Sequence, residues 1–335
     1  MLNNILILLL SLGIILTGCE LFTNGIEWLG KKLRLGDGVV GSIFSAVGTC
    51  LPETLIPVIA LLFSNRHKDS VEIGIGAIVG APFMLSTLAF FITGLSVIIF
   101  SGRRQTGKKL NTDLNILERD ISFFVIAYTG AISVSFFSIG FIKNIAAILL
   151  IGAYVYYVYK TVNNDKASNE EIDDLIFSRT FRIKESLVII LLQIAVALFS
   201  IIVGAEMFVG NIEAISRTLG VSTLALSIII TPIATELPEK FNSVIWISKN
   251  KDTLSLGNIS GAMVFQSCIP VAIGILTTNW KLDIITLVSS LLALSSTLVT
   301  YIWIKVKNSL TPLPLLTGGA FYALFIGILI LRGFK

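Results

Sequence analysis

The residues best placed to do chemistry are two glutamates that each follow a proline inside an apolar run. Glu53 follows Pro52, and Glu239 follows Pro238. A proline inside a helix has no N–H to donate, so a carbonyl oxygen upstream loses its intrahelical partner. A carboxylate beside such carbonyl oxygens forms a hard-oxygen environment that suits Na⁺ or Ca²⁺. The two glutamates are therefore predicted to bind a metal cation.

The two glutamates belong to an internal repeat. A shift of 186 residues places residues 49–53 on 235–239 and residues 18–22 on 204–208. The shift pairs Thr49 with Thr235, and it pairs the two Pro-Glu dipeptides. A slightly different shift, 181, places residues 76–81 on 257–262. The symmetry predicts one binding site to which both halves of the chain contribute.

The composition places these residues in a membrane. Hydrophobic residues make up 54% of the 335, charged residues 14%, and the mean hydropathy is +0.88. A soluble domain carries about 25% charged residues. No basic stripe with interleaved aromatic residues indicates nucleic-acid binding. No nucleophile–base pair or phosphate-binding loop indicates an enzyme, and no cofactor is expected.

The elements that must position the site are ten predicted membrane-spanning helices, each near the length that a bilayer requires. The predicted spans are 2–23, 38–64, 70–100, 121–138, 141–159, 184–208, 221–248, 253–277, 282–304 and 313–332. They form an all-α protein of two five-helix repeats, 1–160 and 184–335, joined by a polar cytoplasmic linker, 161–183. Five spans per half would invert the second half relative to the first. Gly or Pro residues predict interrupted helices at mid-membrane in the second, third, seventh and eighth spans.

The loop charges predict the orientation of the chain. Lys and Arg residues concentrate in the loops after the odd-numbered spans, which places those loops in the cytoplasm and both termini outside. We expect a multi-pass protein of the plasma membrane, a monomer whose partners are the lipid bilayer and small inorganic cations. Inverted repeats with interrupted helices are the sequence signature of secondary transporters.

At these motifs the chain resembles the sodium/calcium exchanger family within the calcium/cation antiporter group, as a divergent prokaryotic-type member. The resemblance rests on residues 48–53, on residues 234–239, and on Gly257-Asn258-Ile259-Ser260-Gly261. It implies that Thr49, Glu53, Thr235 and Glu239 are the central ion ligands. It also implies exchange of Ca²⁺ for Na⁺, or for K⁺ or H⁺ in other branches of the group.

Several residues depart from the family pattern. Cys50 and Glu236 stand where serine is usual, and Met263 and Gln266 stand where Asn or Asp is usual. We include Cys50, Glu236 and Gln266 in the predicted cation site. Lys240 modulates the site in one of three ways: it pairs with Glu236 at i, i+4, it competes with the cation, or it leaves Glu236 and Glu239 to carry protons.

The predicted function is secondary antiport of Ca²⁺ or another cation against Na⁺ or H⁺, by alternating access at the paired glutamates. One rival is a passive cation channel. The other is a non-transporting membrane protein that has kept the exchanger fold but lost its ligands.

A second symmetric pair of acidic residues is Glu20 and Glu206, which the repeat aligns. We expect them near the ends of the first and sixth spans. Their symmetry favours a role in a vestibule or in a moving helix bundle. Snorkelling of an interfacial side chain is an equal alternative.

Overall fold

The protein is all-helical. The computed structural model describes residues 2–32, 51–62, 68–164 and 174–331. Within these ranges the helices are α1 (Leu2–Lys32), α2 (Leu51–Leu62), α3 (Lys68–Met84), α4 (Phe90–Ile99), α5 (Leu114–Val134), α6 (Gly140–Asn164), α7 (Ile176–Phe181), α8 (Leu187–Leu219), α9 (Thr223–Ser248), α10 (Asp252–Thr277), α11 (Ile284–Lys307) and α12 (Pro312–Leu331). A π-helical segment, Leu85–Ala89, joins α3 to α4.

The helix ends follow local sequence signals. Asp113 caps α5 by accepting a hydrogen bond from the Asn115 amide at 2.9 Å, and Asp283 caps α11 in the same way from the Thr286 amide at 2.9 Å. Gly220 ends α8 at a φ of 65°, in the left-handed region where glycine has no Cβ penalty. Short polar signals therefore separate the long apolar runs into individual helices.

Seven stretches within the described part of the chain are long and apolar enough to cross a membrane. They are Asn3–Leu29, Asp69–Ile99, Gly140–Thr161, Leu187–Leu219, Asp252–Thr277, Ile284–Lys307 and Pro312–Leu331. They correspond to seven of the ten predicted spans. The protein is a multi-pass membrane protein.

The other three predicted spans are represented by helices with shorter apolar stretches or more charge. The second is described only from Leu51 to Leu62, and the seventh has an apolar run over Thr223–Ile233. The fourth, predicted at 121–138, is α5, which begins earlier, at Leu114. Its first turns carry Glu118, Arg119 and Asp120, and these charged residues shorten the apolar part of the helix.

The prediction of broken helices is wrong for the seventh and eighth spans. Helix α9 runs unbroken from Thr223 to Ser248, and α10 continues through Pro270. A proline removes one backbone hydrogen bond, and buried packing on both sides keeps the helix continuous. In the described part of the third span the helix changes pitch instead of breaking. The hydroxyls of Ser86 and Thr87 donate to carbonyl oxygens just upstream there, near Pro82.

Two apolar clusters divide the helices into two layers. The larger cluster joins α3, α4, α5, α6, α9, α10, α11 and α12. The smaller one lies mainly on α1, α2 and α8. Helices α1 and α8 contact each other more extensively than any other described pair. We call them the long pair; it forms a layer of its own beside the larger core.

The long pair packs antiparallel through glycines. A Cβ on Gly18 would lie 2.8 Å from Ile201, and a Cβ on Gly204 would lie 2.9 Å from Ile15. Gly25 approaches Ile194 in the same way. Higher numbers on α1 thus meet lower numbers on α8. Only glycine allows the two backbones to approach this closely.

Candidate functional site

The predicted site residues that the structure describes lie on α2, α9 and α10. Helices α2 and α9 contact each other, and α10 contacts both. Glu53 lies in the first turn of α2 and is 3% exposed. Glu236 on α9 is 2% exposed, and Gln266 on α10 is 1% exposed. Three oxygen-bearing side chains from three mutually contacting helices are therefore buried inside the protein.

The threonine of the second repeat is also buried. Thr235 is fully buried, and its hydroxyl donates to the Thr231 carbonyl oxygen at 3.0 Å. One turn earlier, the hydroxyls of Thr231 and Ser227 lie 3.2 Å apart, and Ser227 donates to the Ile73 carbonyl oxygen on α3 at 2.8 Å. This hydroxyl ladder on α9 runs from α3 towards Glu236. Only its last member, Thr235, was predicted as a site residue.

Glycines on α3 allow the ladder to lie against that helix. A Cβ on Gly76 would lie 2.8 Å from the Ser227 Cβ, and a Cβ on Gly80 would lie 2.8 Å from Pro232. Any larger side chain at these two positions would push α3 away from α9. Gly76 and Gly80 both lie in the repeated segment 76–81, and both allow α3 and α9 to pack closely.

Prolines leave particular carbonyl oxygens without an intrahelical donor. Pro57 lies four residues after Glu53, and Pro270 lies four residues after Gln266, each inside its helix. Neither proline has an N–H to donate to the carbonyl oxygen four residues earlier. The backbone carbonyl oxygens of Glu53 and Gln266 therefore lack the usual N–H donor four residues later.

The Gln266 side chain adds an acceptor. Its Oε1 atom is buried and has no hydrogen-bond partner among the residues that the structure describes. A buried amide oxygen without a donor is unfavourable, unless a cation or water occupies the position beside it. Neutral and anionic oxygen atoms of this kind are the ligands that hard cations prefer.

Other predicted site residues are described only in part or not at all. Thr49 and Cys50 lie outside the described residues. Glu239 and Lys240 are helical residues of α9, but their side chains are not described. The proposed pairings of Glu53 with Glu239 and of Glu236 with Lys240 therefore stay predictions. Among the described side chains, no group of three or more His, Cys, Asp or Glu residues lies together as a candidate metal-binding cluster.

A buried polar cluster that the sequence did not predict joins α10 to α5 and α6. Asp120 of α5 accepts hydrogen bonds from Ser260 of α10 at 2.6 Å and from Tyr157 of α6 at 3.1 Å. Arg119 forms an ion pair with Asp120 at 3.0 Å. Ser260 belongs to the repeated Gly-Asn motif, and this motif was the one sequence feature that could have pointed to the cluster. Asp120 was placed just outside a predicted span, and its partners are remote in the sequence.

Comparisons with known proteins agree on one family. The family model described as "Sodium/calcium exchanger protein" matches residues 3–162 and 189–334. An uncharacterized membrane protein, MJ0091, of Methanocaldococcus jannaschii is 26% identical over 85% of this chain and 87% of its own length. The inner membrane protein YrbG of Escherichia coli K12 is 21% identical over 73% of this chain and 71% of its own length.

Solved structures share the fold. A structure of the H⁺/Ca²⁺ exchanger CAX superposes with a TM-score of 0.71 at 17% identity, over 98% of this chain and 82% of the other. A structure of the sodium–calcium exchanger NCX_Mj superposes with a TM-score of 0.58 at 22% identity, over 97% and 98%. At these identities the superpositions establish the fold alone. With the family model matching both halves of the sequence, the chain belongs to the sodium/calcium exchanger protein family.

Proposed function

We propose that the protein is a secondary cation antiporter that exchanges Ca²⁺, or another cation, for Na⁺ or H⁺. The observation that carries the proposal is the set of buried oxygen ligands on α2, α9 and α10 in a chain of the exchanger family. Glu53, Glu236 and Gln266 are each at most 3% exposed. Carboxylates buried this deeply in a membrane protein mark ion pathways.

Glu53 and Glu239 are the principal ligands in this proposal, with Thr49 and Thr235 beside them. Cys50, Glu236 and Gln266 complete the cation site, and Lys240 modulates its charge. The unpartnered Gln266 oxygen supports this assignment, since a neutral oxygen ligand completes a cation shell without adding charge. The cation is the cargo, and the proposal requires no resident cofactor.

Alternating access follows from two inverted five-helix repeats, 1–160 and 184–335, around a linker at 161–183. Support comes from the glycine contacts of the long pair. A shift of 186 residues converts the contact of Gly18 with Ile201 into that of Gly204 with Ile15. Two helices that exchange their contacts under one shift, and that run antiparallel, are related as inverted repeats require.

We place the protein in the plasma membrane as a monomer with ten spans and both termini outside. The concentration of basic residues in the loops after odd-numbered spans supports this orientation. Its partners are the lipid bilayer and small inorganic cations.

Transport by purified protein in liposomes tests the proposal. Uptake of ⁴⁵Ca²⁺ is measured with an outward gradient of Na⁺, K⁺ or H⁺, for the unaltered protein and for Glu53→Gln and Glu239→Gln. We expect uptake that saturates, that follows one gradient, and that both substitutions abolish. Glu185→Gln, at an exposed position, is the matched control.

Two results would contradict the proposal. Uptake that needs no counter-ion and does not saturate would identify a passive channel. Full transport by Glu53→Gln or by Glu239→Gln would remove the paired-glutamate site. If Ca²⁺ is not transported, the same gradients are repeated with other divalent and monovalent cations, and absence of transport for all of them would identify a non-transporting member of the fold.

A further inference from the structure

Three loops at one end of the larger layer are bonded into a single surface. We call this surface the loop platform; it comprises residues 100–113, 249–252 and 307–311. The first loop is bonded to the second, because the Gln105 amide donates to Asn250 Oδ1 at 3.1 Å. It is also bonded to the third, because the Leu110 amide donates to the Leu310 carbonyl oxygen at 3.1 Å. The three loops therefore form one continuous surface.

A buried ion pair fixes the loop platform from within. Arg104 of the first loop binds Asp252 of the second, and both side chains are buried. Arg104 also donates to the Gly107 carbonyl oxygen at 3.1 Å, and the Asn111 amide donates to the Asp252 carboxylate at 2.7 Å. The two buried charges neutralise each other, so exposed residues set the net charge of the surface. Because the loops are already ordered, a partner that binds them loses little of their conformational entropy.

The exposed charge of the loop platform is almost entirely positive. Its exposed basic residues are Arg103, Lys108, Lys109, Lys249, Lys251 and Lys307. None of them forms an ion pair with an acidic side chain that the structure describes. Asp113 is the exposed acidic residue of the platform, and its carboxylate already caps α5 by accepting from the Asn115 amide at 2.9 Å. Like charges gathered on one surface attract anions.

The opposite ends of the same helices lack this charge. The connections at the other ends of α5, α9, α10 and α11 are residues 135–139, 220–222 and 278–283. The first two carry no charged residue. The third carries Lys281 and Asp283, which are both exposed and of opposite charge. The positive charge is therefore a property of one end of these helices and is not spread over both ends.

The loop platform lies at the boundary between hydrocarbon and water. The candidate spans that end on it are Asp69–Ile99, Asp252–Thr277, Ile284–Lys307 and Pro312–Leu331. Next to the loops, the apolar side chains of Ile99, Val306 and Leu313 are exposed on the protein surface. Exposed apolar side chains on membrane-spanning helices face lipid, so the basic side chains just beyond them lie at the level of the headgroups.

We propose that the loop platform binds the headgroups of anionic phospholipids. Their negative charge complements the exposed Lys and Arg side chains, and their acyl chains lie along the exposed apolar side chains at the ends of α4, α11 and α12. A soluble acidic protein would match the charge but not the adjoining apolar side chains. Each basic residue near an anionic leaflet adds to the attraction, which salt screens. This inference does not depend on the proposed transport function.

Thermal unfolding of the purified protein in detergent micelles tests the binding. Phosphatidylglycerol, phosphatidylcholine, inorganic phosphate or soluble polyglutamate is added to separate samples. We expect phosphatidylglycerol to raise the melting temperature by several degrees, because a ligand that binds only the folded state stabilises it. The other three should have little effect, and NaCl should reduce the shift. Equal shifts with the two lipids, or a shift with inorganic phosphate alone, would overturn the proposal. A larger shift with polyglutamate would assign the surface to an acidic protein instead.

Substitutions that remove charge locate the binding surface. The platform variant combines Lys108→Gln, Lys109→Gln and Lys251→Gln. The control variant removes the same number of exposed positive charges beside α7, by Arg179→Gln, Arg182→Gln and Lys184→Gln. We expect the platform variant to lose most of the phosphatidylglycerol shift, with its melting temperature in plain detergent unchanged, and the control variant to keep the shift. A full shift in the platform variant, or an equal loss in both variants, would contradict binding at the loop platform.

A second measurement uses a bilayer in place of detergent. Tryptophan fluorescence is recorded in vesicles of equal parts phosphatidylglycerol and phosphatidylcholine, with bromine on the acyl chains of one lipid or of the other. Trp303 lies one turn before Lys307 on α11, so brominated lipid held at the loop platform quenches its emission. We expect stronger quenching by brominated phosphatidylglycerol, and we expect the platform variant to reduce the difference. Equal quenching by the two lipids in the unaltered protein would overturn the proposal.

Discussion

Two arginine–aspartate pairs connect distant parts of the chain, and they differ in burial. Arg104 and Asp252 are 2.6 Å apart with both side chains 0% exposed, whereas Arg217 and Asp69 are 2.8 Å apart with side chains 69% and 30% exposed. The first pair joins the segment after α4 to the start of α10, both within the larger layer. The second joins α8, a member of the long pair, to α3.

The difference teaches how strongly each ion pair holds the two segments that it joins. The Arg104 guanidinium binds both carboxylate oxygens of Asp252 and also donates to the Ile247 carbonyl oxygen at 2.6 Å. The Asn111 amide donates to the same carboxylate at 2.7 Å. Such a fully bonded buried pair holds one arrangement, while an exposed pair exchanges readily with water. The ion pair that joins α8 to α3 is thus weaker than the ion pair within the larger layer.

Breaking the buried pair should have the largest effect. Asp252→Ala leaves the Arg104 charge buried without its carboxylate, which typically lowers the free energy of unfolding by about 3–5 kcal/mol. Thermal unfolding of purified protein in detergent measures it. Asp69→Ala, at the exposed pair, is the matched control, and equal losses in the two variants would contradict the comparison.

The Asp120 cluster should rank second. Ser260→Ala removes the 2.6 Å hydrogen bond to Asp120. We expect the free energy of unfolding to fall by about 1–3 kcal/mol, because the buried Asp120 carboxylate loses a donor. Ser295→Ala is the control, since the Ser295 hydroxyl is exposed and bonds only within its own helix in the described structure. Chemical unfolding followed by tryptophan fluorescence distinguishes them; a Ser260→Ala variant as stable as the control would show that the cluster does not hold α10.

Substitution of glycine by alanine on α8 should lower stability at Gly204 and be tolerated at Gly210. Gly204→Ala places a Cβ 2.9 Å from Ile15, and overpacking of this kind costs about 1–3 kcal/mol. Gly210→Ala, on the same helix, has nothing within 4 Å, so it should be neutral or stabilise by up to about 1 kcal/mol through helix propensity. Melting temperatures of the two variants measure the contrast, which would disappear if α1 and α8 did not cross at Gly204.

Breaking the exposed pair should have the smallest effect. Arg217→Gln removes an exposed ion pair, whose contribution to stability is typically about 0–1 kcal/mol and decreases with salt. Unfolding in low and high NaCl checks both features. A loss as large as that of Asp252→Ala would mean that the long pair is fixed to α3 as firmly as the larger layer is fixed within itself.

Much of the fold followed from local sequence patterns. Apolar runs predicted the seven candidate spans, and the repeated motifs correctly indicated the family. The boundaries of the first and sixth helices were predicted too short, because the polar residues after Glu20 and Glu206 were read as the ends of spans. The prediction that prolines break the helices is wrong for α9 and α10, which are continuous. Burial supplied the packing that keeps those helices continuous, and no local pattern encodes it.

The amino-acid sequence by itself determined which segments enter the membrane and which oxygen-bearing side chains, such as Glu53 and Gln266, go with them, because transfer into hydrocarbon depends on local composition. Only the tertiary structure decided which polar groups are bonded to one another. Asp120 meets Ser260 across 140 residues, and Arg104 meets Asp252 across 148. The same is true of the long pair: α1 and α8 cross where Gly18 and Gly204 allow the two backbones to approach each other closely. Burial and pairing of a charge depend on partners that folding brings from elsewhere in the chain, and those partners leave no periodic signal around the residue itself.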